Sequence, residues 1–274
     1  MTNFSTAKTG DAVISIRGVS MSYGGRRLLD RVDLDVRRGE ILVLLGGSGS
    51  GKTTLLKHVL GLAKPEAGSI TMNGVDITRC SPSELGAVRR RIGVAFQAGA
   101  LFNSMSVEDN VALPLRELTR LADSTIKLVV WMKLIAVGLS DAGSLYPPEL
   151  SGGMRKRAAV ARAMALDPEI LIFDEPSAGL DPIVSAELDE LILFLKRSFG
   201  ITILVVTHEM ESAFRIADRV AMLYQGRLIA VDQKEQFAGH AHPRIRQFLD
   251  RQPDAMPRVA ADEFIASFLG GSKK

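Results

Sequence analysis

Five consecutive apolar residues, Ile41 to Leu45, run straight into GGSGSGKTT, Gly46 to Thr54. No other junction in the chain restricts the fold as strongly. A continuous apolar run of strand length suits a strand buried on both faces, as in a parallel sheet. The pattern G-x-x-x-x-G-K-[ST] works as a phosphate loop only between a strand and a helix. Both are in place, since TTLLKHVLGLA continues with helical spacing. The glycines let backbone amides close around phosphate oxygens, and a helix N-terminus adds positive potential. Lys52 is expected to reach the β- and γ-phosphates of ATP and the Thr53 hydroxyl to ligate Mg²⁺. Gly46, Gly47, Ser48, Gly49, Ser50, Gly51 and Thr54 complete the expected cradle. A merely structural glycine-rich turn requires neither Lys52 nor Thr53.

Two more apolar runs, EILIFDE (169–175) and ITILVVTH (201–208), repeat the buried-strand pattern, and each precedes a helical pattern. The alternation predicts an α/β fold with a parallel sheet. VISIRGVSMSYGGRRLLDRVDLDV alternates and turns at glycines, which predicts an antiparallel β subdomain. VAMLYQGRLIAVD predicts a late hairpin around Gln225-Gly226. Between about residues 89 and 165 strand signals fade. DSTIKLVVWMKLIAVGL, with Asp123 or Ser124 as N-cap, and GGMRKRAAVARAMAL predict a helical subdomain inserted into the core. A chain of 274 residues with 46% hydrophobic content has enough apolar residues for such a core. A net charge of +3 is too mild to point to nucleic acid, and the single cysteine, Cys80, fits a reducing compartment. The N-terminal MTNFSTAKTGDAV has no apolar leader core, and no run reaches the 18 apolar residues of a membrane span.

The strand EILIFDE ends in two acids. Asp174 is expected on the Mg²⁺ side of the phosphate loop. Glu175 is the better group to orient or deprotonate an attacking water. Asp167, Glu169, Glu187, Asp189 and Glu190 read as surface charges. His208 ends a core strand on the ligand-facing edge, where it is expected to contact the γ-phosphate. Tyr23 either stacks on an adenine ring or covers a sheet edge.

GGSGSGKTT, Phe96-Gln97, LSGGM (150–154), ILIFDEPSAGLDP and VTH stand in an order and spacing that resemble ABC-type ATPase domains. The likeness covers roughly residues 13 to 236, and it implies a P-loop NTPase with a RecA-like core. It implies that Tyr23 is the adenine-stacking residue and that Gln97 senses Mg²⁺ and the γ-phosphate. It implies that Ser151, Gly152 and Gly153 form a signature loop facing ATP held by a second subunit. Residues 177–181, with Asp181, resemble the D-loop, and His208 the switch histidine. One phosphate loop and one signature per chain imply a homodimer, since each copy then supplies what the other lacks. Taken alone, LSGGM reads equally as a capped helix N-terminus.

FQAGALFNSMSVEDNVALPLRE, LSGGMRKRAAVARAMAL and the late PRIRQFLD are similar to the Mla (maintenance of lipid asymmetry) branch of that family. This implies a subunit driving phospholipid transport between two membranes from the cytoplasmic face of a bacterial inner membrane. The implied partners are a multispanning permease, a periplasmic Mce-domain protein and a small STAS-domain protein, with no nucleic acid. Ala100, Leu101, Phe102, Met105 and Val107 either line an apolar groove for a permease helix or pack the helical subdomain internally. An importer ATPase for a polar solute shares all five motifs. A soluble ABC ATPase and a P-loop kinase fit less well. Beyond about residue 236, a C-terminal extension (237–274) carries Phe264, Ile265, Phe268 and Leu269 on one helical face, expected to dock on a partner subunit. Met154 stands where many such ATPases have Gln.

Overall fold

The computed structural model describes residues 11–253. Chain contacts divide it into two units, one through Phe237 and one from Ala238. The first opens with two long strands, β1 (Ala12–Tyr23) and β2 (Arg26–Arg37), followed by β3 (Ile41–Leu45) and α1 (Lys52–Val59). Then come β4 (Ala67–Met72), β5 (Val75–Asp76), α2 (Pro82–Arg89) and β6 (Ile92–Ala95). Three helices follow: α3 (Val107–Leu118), α4 (Asp123–Ala136) and α5 (Gly152–Ala163), with a 3₁₀ turn at Pro147–Glu149 before the last. The chain continues through β7 (Ile170–Asp174), α6 (Pro182–Phe199), β8 (Thr202–Thr207) and α7 (Met210–Ile216). It closes with β9 (Arg219–Tyr224), β10 (Arg227–Gln233) and α8 (Lys234–Ala238). The second unit carries α9 (Pro243–Leu249). Phe264, Ile265, Phe268 and Leu269, expected to form a docking face, lie outside the described residues.

Six strands form the main sheet in the order β10-β9-β3-β8-β7-β6. All neighbours pair in parallel except β10, which closes the edge antiparallel to β9 around Gln225-Gly226. The three apolar runs become β3, β7 and β8, adjacent at the centre and buried on both faces, as their unbroken hydrophobicity requires. Alternation divides their side chains between two faces. Leu42, Leu44, Ile170, Ile172, Leu204 and Val206 enter one hydrophobic cluster with Leu55, Leu56 and Val59 of α1. That cluster also takes Ile14, Ile16 and Val19 of β1 and Ile70 of β4. Those belong to the antiparallel sheet β2-β1-β4-β5. Helix α1, and with it the phosphate loop, therefore shares one core with both sheets.

The start of β3 is fixed by charge. The Ile41 amide donates to Asp218 Oδ2 at 2.6 Å, and Arg219 lies 3.0 Å from Glu40 in a buried pair.

The helical stretch departs from expectation at two points. Residues 92–95 form β6, an edge strand of the parallel sheet, inside the segment read as helical; IGVA is too short and glycine-bearing to register as a strand. Helix α4 is capped at Ala122 by its backbone alone, not at Asp123 or Ser124. No described helix is long and apolar enough to cross a membrane.

Candidate functional site

The loops after β3, β7 and β8 emerge from the same edge of the sheet, because these strands are parallel neighbours. The first loop runs into α1 through Gly51, whose φ of 108° is a left-handed conformation that L side chains resist. A Cβ there would also meet the Leu28 carbonyl at 2.8 Å. Helix α1 has no side-chain cap, whereas Ser81, Ser106, Ser151 and Asp181 cap α2, α3, α5 and α6. The orphan amides of its first turn have no side-chain partner, as at α4 and α7, but here they follow a glycine-rich loop suited to phosphate. Ser48, Gly49 and Thr53 are exposed, Gly47 and Thr54 partly so, and Gly46 buried. Ser50 Oγ is buried with no hydrogen-bond partner in the structure.

Lys52 points back into the loop. Its Nζ donates to the carbonyls of Gly46 at 2.7 Å and Gly47 at 3.3 Å, and lies 3.7 Å from Glu175 Oε1. Burial lowers its pKa, against the pull of Glu175 and Asp174. Asp174 ends β7, and burial together with its neighbour Glu175 raises its pKa, against Lys52 and Lys156. Glu175 follows with φ of 47°, rare for a residue with a side chain. Its amide donates to the Val206 carbonyl at 2.8 Å. Glu175 Oε2 accepts from Thr207 Oγ1 at 3.2 Å and the His208 amide at 3.3 Å. His208 Nδ1 stands 2.8 Å from the same oxygen and donates to it in the Nδ1-protonated tautomer.

The structure thus gathers Lys52, Asp174, Glu175 and His208 in one place. Of the two His208 ring nitrogens, Nδ1 faces Glu175, which leaves Nε2 as the atom for the expected γ-phosphate contact. Among the described residues no three acidic, His or Cys side chains converge on a metal. That still suits Mg²⁺, which keeps waters and phosphate oxygens and takes only one or two protein ligands. Thr53 and Asp174 have the right chemistry for that small share, while the exposed Gln97 has no side-chain hydrogen bond among the described residues.

The signature segment is organised within its own chain. Ser151 caps α5, its Oγ accepting from the Met154 amide at 3.2 Å. A Cβ on Gly153 would fall 2.6 Å from Val184 Cγ1, so close packing on α6 is a second reason for that glycine. A Cβ on Gly152 would meet Leu180 at 3.3 Å. Asp181 caps α6, Oδ1 accepting from the amides of Ile183 and Val184, both at 3.0 Å. The cap uses one oxygen of the carboxylate, Oδ1. Tyr23 ends β1 and is 78% exposed, with no bond or ring contact tying it to the Lys52 cluster among the described residues.

Sequence reading missed three groups. The positive charge of α5 is used on the loop after β6. Lys156 Nζ donates to the Gln97 carbonyl at 2.5 Å, and Arg162 to the carbonyls of Ala100 at 2.6 Å and Gly99 at 3.1 Å. Asn110, fully buried, accepts from the Phe102 amide and donates to the carbonyls of Phe102, Met105 and Ser106. Asp189, read as a surface charge, is buried and hydrogen-bonded by Ser212. The basic run and the polar VEDNV were visible, but nothing in them names distant carbonyls as partners. The expected groove also loses a member. Val107 is fully buried in the helical subdomain, because the loop turns inward at Ser106, whereas Phe102 is 52% exposed.

Comparison with known proteins agrees with this geometry. The protein-family model described as ABC transporter matches residues 29–178. The intermembrane phospholipid transport system ATP-binding protein MlaF of Escherichia coli is 43% identical over 95% of this chain and 97% of its own length. A probable ribonucleotide transport ATP-binding protein, mkl, of Mycobacterium leprae is 45% identical over 86% of this chain and 68% of its own length. Among solved structures, cbiO1 of Clostridium perfringens, part of the ABC transporter complex cbiONQ, matches with TM-score 0.78 and 28% identity, covering 92% of this chain and 98% of that one. The ATP-binding cassette MJ0796, solved as a dimer bound to ADP and Pi, matches with TM-score 0.74 and 28% identity, covering 81% and 98%.

Proposed function

Because the chain belongs to the ABC transporter family of ATP-binding proteins, we propose that it binds and hydrolyses ATP to drive phospholipid transport between the two membranes of a bacterial envelope. The observation that carries the ATPase reading is Glu175, a carboxylate held between Lys52 and the His208–Thr207 segment beside an uncapped helix N-terminus. The lipid reading rests on the likeness to MlaF, which runs nearly end to end in both chains, whereas mkl matches over about two thirds of its length. The mkl likeness favours the second reading, an ATPase subunit serving a polar solute.

The residues divide the work as follows. Lys52 and the amides of Gly47 to Thr54 bind and orient the triphosphate. Tyr23 offers its exposed ring to the adenine. Thr53, Asp174 and Gln97 are the groups that would hold Mg²⁺, which when bound neutralises charge on the β- and γ-phosphates. Glu175 orients the attacking water and draws its proton. His208 and Thr207 fix Glu175 at the angle it needs. The signature loop, Ser151 with the amides of Gly152 and Gly153, grips the γ-phosphate of ATP held by a second copy, and Asp181 lies at that same closing edge. Most of the rate then comes from positioning and charge stabilisation. The protein works as a homodimer on the cytoplasmic face of the inner membrane, beneath a multispanning permease that receives closure through the loop at residues 97–106. A periplasmic Mce-domain protein and a small STAS-domain protein complete the assembly. Residues 13–236 serve as the ATPase domain, and 237–274 steady the dimer.

Affinity purification from membranes, with identification of co-purifying chains and bound lipids, tests this directly. Recovery with an Mce-domain protein and phospholipid is the expected result. Recovery with a soluble solute-binding protein and no lipid would replace the lipid reading with the second one.

A further inference from the structure

We propose that Lys156 is a positioning residue for ATP hydrolysis, one ammonium that ties the signature helix to the main chain at both Gln97 and Glu175; this rests on the ATPase reading above. Lys156 lies on α5, five residues beyond the Ser151 cap. Its Nζ donates to the Gln97 carbonyl at 2.5 Å and to the Glu175 carbonyl at 3.2 Å. Those carbonyls belong to different connections, one after β6 and one after β7. A single side chain therefore touches three segments, each contributing a group to the ATP site.

Lys156 is half-buried; burial opposes its charge, while the nearby carboxylates of Asp174 and Glu175 favour it. What the ion gains is control of an unusual backbone. Glu175 is held at φ of 47°. Its amide is bound by Val206, and its carbonyl accepts from the Ala178 amide at 3.3 Å as well as from Lys156. Strained conformations persist only where the surroundings over-determine them. Lys156 supplies one such restraint from a different element. If α5 shifts, the Glu175 backbone and the Gln97 loop receive the shift through the same ion. Arg162 adds a second grip on that loop, one helical turn and a half further along α5.

The test uses the full chain with its co-purifying membrane partners. Lys156→Met keeps the aliphatic bulk and removes the ammonium with both of its hydrogen bonds; Lys156→Gln keeps an NH₂ donor. The expected result for Lys156→Met is a fall of about tenfold in kcat, with KM for ATP and binding of a fluorescent ATP analogue within about twofold of wild type. Lys156→Gln should recover part of that loss. In a Glu175→Gln background, where Glu175 no longer acts as base, Lys156→Met should cost clearly less than tenfold in the residual single-turnover rate, because part of its effect runs through Glu175. A wild-type kcat, a loss confined to KM, or the same tenfold loss repeated in the Glu175→Gln background would overturn the proposal. If Lys156→Met fails to fold, Lys156→Gln decides by the same criteria. A wild-type complex without ATP turnover removes the ATPase reading itself, and this proposal with it; turnover that ignores Lys156 removes only the proposal.

Discussion

His208 Nδ1 and Glu175 Oε2 stand 2.8 Å apart, and Lys52 approaches the other oxygen of the same carboxylate at 3.7 Å. One side chain is thereby held from two sides by groups on two different loops. Replacing Glu175 by Gln preserves its size and removes its capacity as a base. ATP turnover should fall at least about 100-fold while nucleotide binding persists. The checks are phosphate release and size-exclusion chromatography with ATP, which should show an accumulated dimer. Hydrolysis at the wild-type rate would strip Glu175 of its assigned role.

Asp174 presents an opposite balance of stability and activity. Burial and the adjacent Glu175 raise its pKa, so the folded state binds this proton more tightly than the unfolded state. Its contribution to stability is therefore greatest at low pH and is lost as pH rises through the folded pKa. At neutral pH, Asp174→Asn should raise the nucleotide-free Tm, because the charged carboxylate is the disfavoured form in the folded state. It should also abolish Mg²⁺-dependent turnover. Differential scanning fluorimetry without nucleotide reads the first effect, and a lowered Tm would contradict it.

Met154 enters the signature segment through its backbone, donating its amide to Ser151 Oγ at 3.2 Å. Gln at this position keeps that amide, so Met154→Gln should leave ATPase activity within about tenfold, since one added or lost neutral hydrogen bond changes energies by about 0.5–1.5 kcal/mol. Ser151→Glu removes the hydroxyl cap and sets a negative charge against phosphate, and should abolish turnover. A large loss in Met154→Gln would show that the thioether packs something essential.

The loop between Phe102 and Ser106 depends on one buried amide. Asn110 joins it through four hydrogen bonds. Asn110→Ala strands a backbone amide and several carbonyls, at an expected cost of about 2–3 kcal/mol. Urea denaturation should show the loss as a lower midpoint with unchanged slope. A midpoint equal to that of wild type would mean the loop is held by other contacts.

The central strands and the phosphate loop were legible in the sequence because their signals are local. Ile41–Leu45 is apolar throughout, and Gly46 to Thr54 is a pattern of adjacent residues. β6 was not legible, because Ile92–Ala95 owes its strand conformation to pairing with Ile170–Phe173, which no four-residue window contains. Asp189 looked solvated for the same reason, its partner Ser212 lying 23 positions away on another helix. Lys156 and Arg162 were visible only as part of a basic run. Their partners are carbonyls, and every residue has a carbonyl, so side-chain identity carries no clue to such a contact. The same holds for the backbone at Glu175, whose amide and carbonyl are held by Val206 and Lys156 from distant parts of the chain.

Gly153 and Val184 touch so closely that a β-carbon on the first would lie 2.6 Å from a methyl of the second. In this chain the two positions therefore count as one: a methyl added at 153 fits only if Val184 shifts or is shortened, as in a Gly153→Ala, Val184→Ala pair. The backbone path of the Ser151–Gly153 turn is thus written partly in a residue one helix away.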